Sequence, residues 1–301
     1  MVIINDVGPR DGLQSQAKIL DVNDRVRLIR AIADSGINNI EVGAFVSPKA
    51  VPAMAATDEV LSQTRDLNQV NQTVLIPNQR GYELAKAVGA KRVAMVLYAT
   101  EGMSMKNVNM SVADVEQNTQ SIVQLAKADG IDVSAYIATS FGCPFDGDVE
   151  PSHVGELVGR YFEYGVDEIV LADTIGAANP AQVKQTFAPI TATFGSDKLA
   201  AHFHDTRAMG LANVYSAYEA GVRKFDASIG GLGGCPFAPG ASGNVATEDV
   251  VMMFQQMGVE TGVDMAALLQ ASNLAIELTG TTKGGRARPW LDGQSTKLKQ
   301  A

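Results

Sequence analysis

The sequence is poor in cysteine and has no long apolar runs. Its two cysteines, Cys143 and Cys235, lie far apart in a chain of 301 residues. Two distant cysteines do not make a disulfide framework, so we expect a reducing compartment, the cytoplasm. No apolar run approaches the roughly 18 residues of a membrane span, and residues 1–6 lack the basic and apolar regions of a signal peptide. The sequence therefore predicts neither export nor insertion into a membrane.

Positive charge is also scarce. Lys and Arg number 24 against 33 Asp and Glu, which leaves a net charge of −9. Such a chain is repelled by nucleic acids and by anionic membranes, so neither is expected as a partner. An anionic substrate would need a local group of basic side chains. Hydrophobic residues make up 46% of the chain and charged residues 19%, which is typical of a globular protein with a large core.

Short apolar segments alternate with longer amphipathic segments eight times along the chain. This alternation predicts parallel strands joined by right-handed crossovers, and eight units predict a closed (β/α)8 TIM barrel. An open doubly wound sheet is the alternative, but no G-x-G-x-x-G follows the first predicted strand. The predicted strands span 2–7, 39–44, 72–76, 92–98, 132–139, 168–172, 199–204 and 224–229.

Helices are predicted between the strands, for example at 23–35, 112–128, 152–164 and 208–220. Asp21, Ser111 and Ser152 are the predicted N-terminal caps of three of them. No linker interrupts the pattern, so 1–301 is interpreted as one domain, with the barrel at about 1–257. The remainder, 258–301, contains one further predicted helix at 264–278 and a tail, which we interpret as a cover or a partly mobile segment.

Two of the three histidines, His202 and His204, lie two residues apart. Side chains at i and i+2 of a strand point to the same face, so two imidazoles project together from the end of the seventh strand. Histidine is the commonest metal ligand, and this geometry suits one divalent ion. The alternative is a pair of histidines on a wet barrel rim. The third, His153, lies near a predicted helix start and is interpreted as a surface residue.

Further polar residues fall at the carboxyl ends of the predicted strands, where TIM barrels carry their active sites. Arg10 and Asp11 form a charged pair at a glycine-flanked turn after the first strand, although a surface turn could have the same residues. Glu41 lies inside the apolar second strand, where a carboxylate is costly unless it is paired. Arg10 is its predicted partner. Asp173 follows the sixth strand and is expected at the barrel mouth.

A glycine-rich loop follows the eighth strand, contains Cys235 and ends at Asn244. Glycine backbone can lie close to a ligand, and an exposed thiol there can act as an acid or a nucleophile. The alternative is a flexible loop with an incidental cysteine. Cys143 lies in another loop, where packing is the predicted role. An aspartate, two histidines and a side-chain amide form a donor set that suits Mg²⁺ or Mn²⁺ and leaves positions for substrate oxygens.

Five runs resemble the hydroxymethylglutaryl-CoA lyase family, which consists of metal-dependent barrels of the DRE-TIM type. The resemblance covers nearly the full chain, and the G-L-G-G-C-P run is highly specific, whereas the H-x-H-D pair is shared with condensing enzymes. The matching runs are VGPRDGLQ at 7–14, FVSPK at 45–49, DTIG at 173–176, HFHDT at 202–206, and the loop 231–244 with ATED at 246–249.

The resemblance implies a retro-Claisen cleavage of a 3-hydroxy-3-methylglutaryl-CoA-like substrate to acetyl-CoA and a keto acid. Arg10 would stabilise the developing negative charge, and Cys235 would protonate the enolate carbon. Glu41 and Asp173 would support the site. The general base is left open between Asp11 and water. The ligands that the resemblance implies for Mg²⁺ or Mn²⁺ are Asp11, His202, His204 and Asn244.

Several positions depart from the family's pattern. Ala44 and Val170 stand where the family usually has hydroxyl-bearing residues, and Gln14 is followed by Ser-Gln rather than Asn-Glu. Arg207 stands where an aromatic or small residue is common. These departures imply a more apolar acyl pocket, with Gln14 as a substrate contact and Arg207 as a clamp for a carboxylate. A lyase for a related 3-hydroxy-3-alkyl acyl-CoA is therefore an alternative.

Two other functions are compatible with parts of the pattern. A Claisen-condensing acyltransferase that uses acetyl-CoA and a 2-oxo acid would share His202 and His204 but would not need the Cys235 loop. A non-catalytic barrel could bind a metal or CoA, but the combined presence of Arg10, Asp11 and Cys235 argues against it. The expected partner is a small acyl-CoA, and barrels of this kind are expected to form homodimers or higher homo-oligomers.

Overall fold

The computed structural model describes residues 1–234 and 243–298, and its strands close into a barrel. In this part of the chain, eight parallel strands pair in sequence order and the last strand pairs with the first. Every strand overlaps its predicted range, so the predicted TIM barrel is confirmed. The strands are β1 Ile3–Asp6, β2 Asn39–Ala44, β3 Asn71–Leu75, β4 Arg92–Tyr98, β5 Asp132–Ala138, β6 Glu168–Asp173, β7 Leu199–Phe203 and β8 Lys224–Ala227.

Helices cover the outside of the barrel. Asp21 and Ser111 cap their helices as predicted, because each side chain accepts a hydrogen bond from the backbone three residues on. The helices are α1 Val22–Asp34, α2 Thr57–Gln63, α3 Gln79–Ala87, α4 Glu101–Val108, α5 Val112–Asp129, α6 Pro151–Tyr164, α7 Pro180–Phe194, α8 Gly210–Glu219, α9 Thr247–Gln256, α10 Met265–Thr279 and α11 Arg288–Leu298.

The prediction that Ser152 caps a helix is wrong. The helix α6 begins one residue earlier, at Pro151, and Glu150 precedes it without a side-chain cap. Proline suits the first helical position because its φ is already helical and its missing N–H would have no partner there. Ser152 therefore lies inside the first turn.

The C-terminal segment lies against the barrel mouth. The helix α10 confirms the further helix predicted from the sequence, and the tail also contains the helix α11. Between them, the backbone N–H of Gly285 donates to Glu248 Oε1 at 2.8 Å, and the N–H of Arg286 donates to Asp249 Oδ2 at 2.7 Å. The Arg286 side chain also pairs with Asp205. These bonds tie the segment between α10 and α11 to residues that follow β7 and β8.

Apolar side chains fill the barrel below the mouth. Tyr136, Val170, Ala94 and Ala200 form one buried cluster inside the barrel, and Val96 packs against it. This apolar layer lies directly below the polar side chains at the strand ends, since Tyr136 contacts the ring of His202. Among the described residues, no helix has the length and hydropathy of a membrane span.

Candidate active site

A rare π-helical turn, Gly8–Gly12, follows β1 and presents Arg10 and Asp11. Short π-helical segments are frequent at functional sites. The turn packs closely against the start of the segment that follows β8, since a Cβ atom on Gly8 would lie 2.9 Å from Ile229 Cγ2, and one on Gly12 would lie 2.8 Å from Ser228 Oγ. Any larger residue at either end would force the turn away from this segment, so glycine is favoured at both ends of the turn.

Arg10 is buried between two carboxylates. Its Nη2 lies 2.6 Å from Glu41 Oε2 and its Nη1 lies 2.9 Å from Asp11 Oδ1, so the predicted pairing of Arg10 with Glu41 is present. Burial acts to lower the pKa of the guanidinium, but the two carboxylates raise it above its usual value. Burial raises the pKa of Glu41 to about 7, against the opposing effect of Arg10. Arg10 thus provides a fixed positive charge.

His202 and His204 lie side by side, with their ring centroids 5.2 Å apart. Each is 6% exposed, which rules out a pair on a wet rim. Burial acts to lower the pKa of His202, but the hydrogen bond and charge of Asp226 raise it overall. Burial, together with the neighbouring His202, lowers the pKa of His204 to about 4. His204 is therefore neutral at physiological pH, as a metal-binding imidazole must be.

Asp11, His202 and His204 offer three ligand atoms that lie within 4.8 Å of one another. Burial acts to raise the pKa of Asp11, but Arg10 and the histidines lower it to about 2, so the carboxylate is ionised. Asn244 joins this cluster because its backbone pairs with that of His204 and its Nδ2 donates to Asp11 Oδ2 at 2.8 Å.

Two buried polar atoms of this cluster, His204 Nδ1 and Asn244 Oδ1, have no hydrogen-bond partner in the described part of the chain. Buried acceptors without a partner are costly, and a cation between them would remove that cost. A carboxylate, two imidazoles and an amide oxygen together form a donor set for a divalent ion. The residues present therefore fit the metal that the sequence predicts.

Sequence reasoning missed Asp226, which lies on β8 beside the histidines. Its Oδ2 is 3.0 Å from His202 Nδ1, and its Oδ1 accepts a hydrogen bond from Asn5 Nδ2 at 2.7 Å. The ring of Tyr136 lies edge-on to His202, 6.1 Å away between centroids. In metal sites, the histidine nitrogen that does not bind the metal commonly hydrogen-bonds a carboxylate, as His202 Nδ1 does here, and this bond fixes the orientation of the ring. The signal for Asp226 was a lone carboxylate in a buried strand, the same signal that identified Glu41.

Asp173 lies at the end of β6, as predicted, and its two carboxylate oxygens have different surroundings. Its Oδ1 accepts from the N–H groups of Ala177 and Ala178 at 2.7 and 3.2 Å. Its buried Oδ2 has no hydrogen-bond partner among the described residues. Burial raises the pKa of Asp173 to about 6. Arg207 is exposed beside this turn and donates to the Ala177 carbonyl at 3.4 Å.

The other candidates divide between the site and its surroundings. Gln14 is exposed, and its Nε2 donates to Asp11 Oδ1 at 2.9 Å. Cys143 is buried and packs beside Tyr98, which agrees with a packing role. His153 is exposed, as predicted, and its ring hydrogen-bonds the Ala99 carbonyl. Cys235 lies outside the described residues, so its role stays a prediction.

Comparison with known proteins identifies a family. The HMGL-like family model matches residues 1–275. The chain is 42% identical to the hydroxymethylglutaryl-CoA lyase of Pseudomonas mevalonii, over 98% of each chain. It is 39% identical to the 3-hydroxy-3-isohexenylglutaryl-CoA/hydroxymethylglutaryl-CoA lyase of Pseudomonas aeruginosa, over 94% of each chain.

The solved structures agree. A hydroxymethylglutaryl-CoA lyase from Acinetobacter baumannii, in complex with coenzyme A and 3-methylmalate, superposes with a TM-score of 0.92 at 38% sequence identity. The superposition covers 96% of this chain and 94% of that one. The family and fold predicted from the sequence are thus confirmed, and the chain belongs to the HMGL-like family.

Proposed function

We propose that the protein cleaves a 3-hydroxy-3-methylglutaryl-CoA-like thioester to acetyl-CoA and a keto acid, in a divalent-metal-dependent reaction. The observation that carries this proposal is the cluster of half-buried Asp11 with buried His202 and His204, in which Arg10 is hydrogen-bonded to Asp11. The relatives named above are carbon–carbon lyases that act on acyl-CoA thioesters, and the protein is a carbon–carbon lyase of the same family. The relative that was solved with coenzyme A supports an acyl-CoA substrate.

Asp11, His202, His204 and Asn244 would hold the divalent cation. When bound, the cation would supply Lewis-acid polarisation of the hydroxyl and carbonyl oxygens of the substrate. Mg²⁺ and Mn²⁺ are the proposed ions, because carboxylate, amide and imidazole donors suit both.

The protein's own residues supply charge and protons. Arg10 is held by Glu41 and Asp11 before any substrate binds, so its charge is already placed to stabilise the oxyanion that develops as the carbon–carbon bond breaks. The reaction also removes the proton of the tertiary hydroxyl and delivers a proton to the enolate carbon of acetyl-CoA. We assign the second step to Cys235. Asp173, with a pKa near 6 and an unbound oxygen, is a supporting group for proton exchange at the mouth.

The test of this function is a product assay on the purified protein with Mn²⁺ and 3-hydroxy-3-methylglutaryl-CoA. We expect stoichiometric acetyl-CoA and keto acid, and loss of both products when the metal is chelated. A condensing acyltransferase would leave this thioester intact and would release CoA from acetyl-CoA and a 2-oxo acid. Tight binding of metal or CoA without turnover in either assay would instead indicate a binding protein.

A lyase for a bulkier 3-alkyl substrate is the second candidate. Val170 is 1% exposed and packs in the same cluster as Tyr136, whose ring contacts His202. An apolar side chain therefore lies directly below the candidate site. Ala44, also buried, ends β2 next to the same mouth. The relative from P. aeruginosa is named for a substrate with an isohexenyl group, which supports an apolar acyl pocket here.

We expect kcat/KM for a larger 3-hydroxy-3-alkyl acyl-CoA to equal or exceed that for hydroxymethylglutaryl-CoA. The double variant Ala44→Ser/Val170→Ser should shift the preference back by about 10-fold, since apolar pockets discriminate by about 1–3 kcal/mol per methylene but respond more sharply to polar groups. Arg207→Ala should raise KM for the carboxylate-bearing substrate. The exposed Arg80 on α3 provides the control Arg80→Ala. If the wild type strongly prefers the smaller substrate and Arg207→Ala behaves like Arg80→Ala, the altered-pocket idea is wrong.

Three further assignments stay proposals. We propose a cytoplasmic location, because the two cysteines do not form a disulfide framework. We propose a homodimer or higher homo-oligomer as the working state. The chain 1–301 is proposed to act as one domain, in which the barrel and the C-terminal helices form one unit around the mouth.

A further inference from the structure

Three segments of the candidate site meet at one buried side chain, Asp6, at the end of β1. Its Oδ1 accepts a hydrogen bond from the backbone N–H of Gly8 at 2.8 Å and a longer one from that of Ile229 at 3.4 Å. Its Oδ2 accepts a hydrogen bond from the Thr247 hydroxyl at 2.7 Å. Asp6 itself is 0% exposed. Each of its bonds thus goes to a different part of the chain.

Each of these three segments carries or follows a residue of the site. Gly8 begins the π-helical turn that holds Arg10 and Asp11. Thr247 begins α9, three residues after Asn244. Ile229 begins a short 3-10 helix just after β8, the strand that carries the Asp226 hydrogen-bonded to His202. The Asp6 carboxylate therefore lies between the backbones that present Asp11 and Asn244.

The chemistry of Asp6 argues against a role in stability alone. Burial raises its pKa to about 7, and the charge of Glu248 acts in the same direction. The groups that oppose this rise are the three hydrogen-bond donors, and no basic side chain pairs with Asp6 in the described part of the chain. A buried carboxylate without a cation is costly, but an apolar residue here would leave the three donors without an acceptor, so the carboxylate links the segments that carry them.

We propose that Asp6 is a positioning residue, which sets the separation of Asp11 and Asn244 and thereby the affinity of the site for its divalent cation. Asp11 and Asn244 touch each other directly, at 2.8 Å between Nδ2 and Oδ2, so a small shift of either backbone changes the pocket between them. The inference rests on the proposed metal site. It can be tested by substitution of Thr247, whose hydroxyl donates to Asp6 Oδ2.

Thr247→Val keeps the shape of the side chain but removes the hydroxyl, which leaves Asp6 Oδ2 without its donor. Thr247→Ser keeps the hydroxyl. We expect the valine variant to bind Mn²⁺ roughly 10-fold or more weakly, the range seen when groups that orient metal ligands are removed, and the serine variant to bind it as the wild type does. The measurement is calorimetric titration of purified apoprotein with Mn²⁺, which does not depend on activity.

Thr186→Val is the matched control, because Thr186 is a buried threonine on α7 whose hydroxyl donates to the Gln182 carbonyl, away from the site. It should lower thermal stability without weakening Mn²⁺ binding. If Thr247→Val does not fold, Asp6→Ala replaces it, since it removes both oxygens that accept from the three segments, and the same loss is expected. Normal Mn²⁺ affinity in a folded Thr247→Val or Asp6→Ala variant would overturn the inference. A wild type that binds no Mn²⁺ would overturn the metal site of the proposed function, and this inference with it.

Discussion

Replacing Arg10 by glutamine is expected to lower kcat by about 10²–10³-fold, as happens when one preorganised group that stabilises an oxyanion is lost. Glutamine keeps hydrogen-bonding capacity but removes the charge that Glu41 and Asp11 hold at 2.6 and 2.9 Å. Steady-state kinetics with hydroxymethylglutaryl-CoA is the measurement. Arg10→Lys should recover only part of the rate, because an ammonium group cannot contact two carboxylates in the fork geometry of a guanidinium.

Mn²⁺ binding separates a catalytic role of Arg10 from damage to the site. Removing the cation beside Asp11 should leave Mn²⁺ affinity equal to or higher than that of the wild type. Arg25 is a matched control, because it is another buried arginine, which donates to the Ala55 carbonyl at 2.7 Å and has no carboxylate partner among the described residues. Arg25→Gln should lower the melting temperature and spare kcat of the folded protein. A kcat for Arg10→Gln within a few-fold of the wild type would contradict the assigned role.

The second large effect is expected for His204→Ala, which should reduce bound metal and turnover together by roughly 10²-fold while the fold is retained. His204 Nδ1 is buried without a hydrogen-bond partner among the described residues. Alanine therefore removes a metal ligand without breaking a hydrogen bond of that nitrogen. The pKa of His204, about 4, means that no proton competes for this ligand near neutral pH.

Metal analysis of dialysed protein measures the loss of bound metal, a product assay measures the loss of turnover, and circular dichroism checks that the fold is retained. His153→Ala is the control, since His153 is exposed on α6 and its ring contacts the Ala99 carbonyl. It should retain the metal content of the wild type. Full metal occupancy in His204→Ala would show that the ligand set is wrong.

The barrel could be predicted from the sequence because the same local pattern recurs eight times. The predicted bounds of β2 and β4 match the observed Asn39–Ala44 and Arg92–Tyr98, since both are apolar runs between clear turn signals. The end of β8 was placed two residues too late. Ile229 is as apolar as a strand residue, but it begins a 3-10 helix that packs behind the π-helical turn.

The candidate site was predictable where one residue carried the signal and not where two distant strands had to be aligned. Glu41 stood out as a costly carboxylate, and its partner Arg10 lay in the preceding loop. Asp226 has the same signal, but its partner His202 lies beside it through the register of β7 and β8. No local spacing encodes that register. The π-helical form of the Gly8–Gly12 turn likewise depends on contacts with residues more than 200 positions away.

The pairing of the first strand with the last also bears on how the protein is made. Asp11 and Asn244 stand 233 positions apart in the chain yet hydrogen-bond each other. A ribosome that has just added Asp11 must therefore synthesise almost the whole barrel before Asn244, the proposed fourth ligand, emerges. Under the proposed ligand set, incomplete chains would offer a cation only part of its ligands, so capture of the metal would come late in translation and would mark molecules whose barrel is complete.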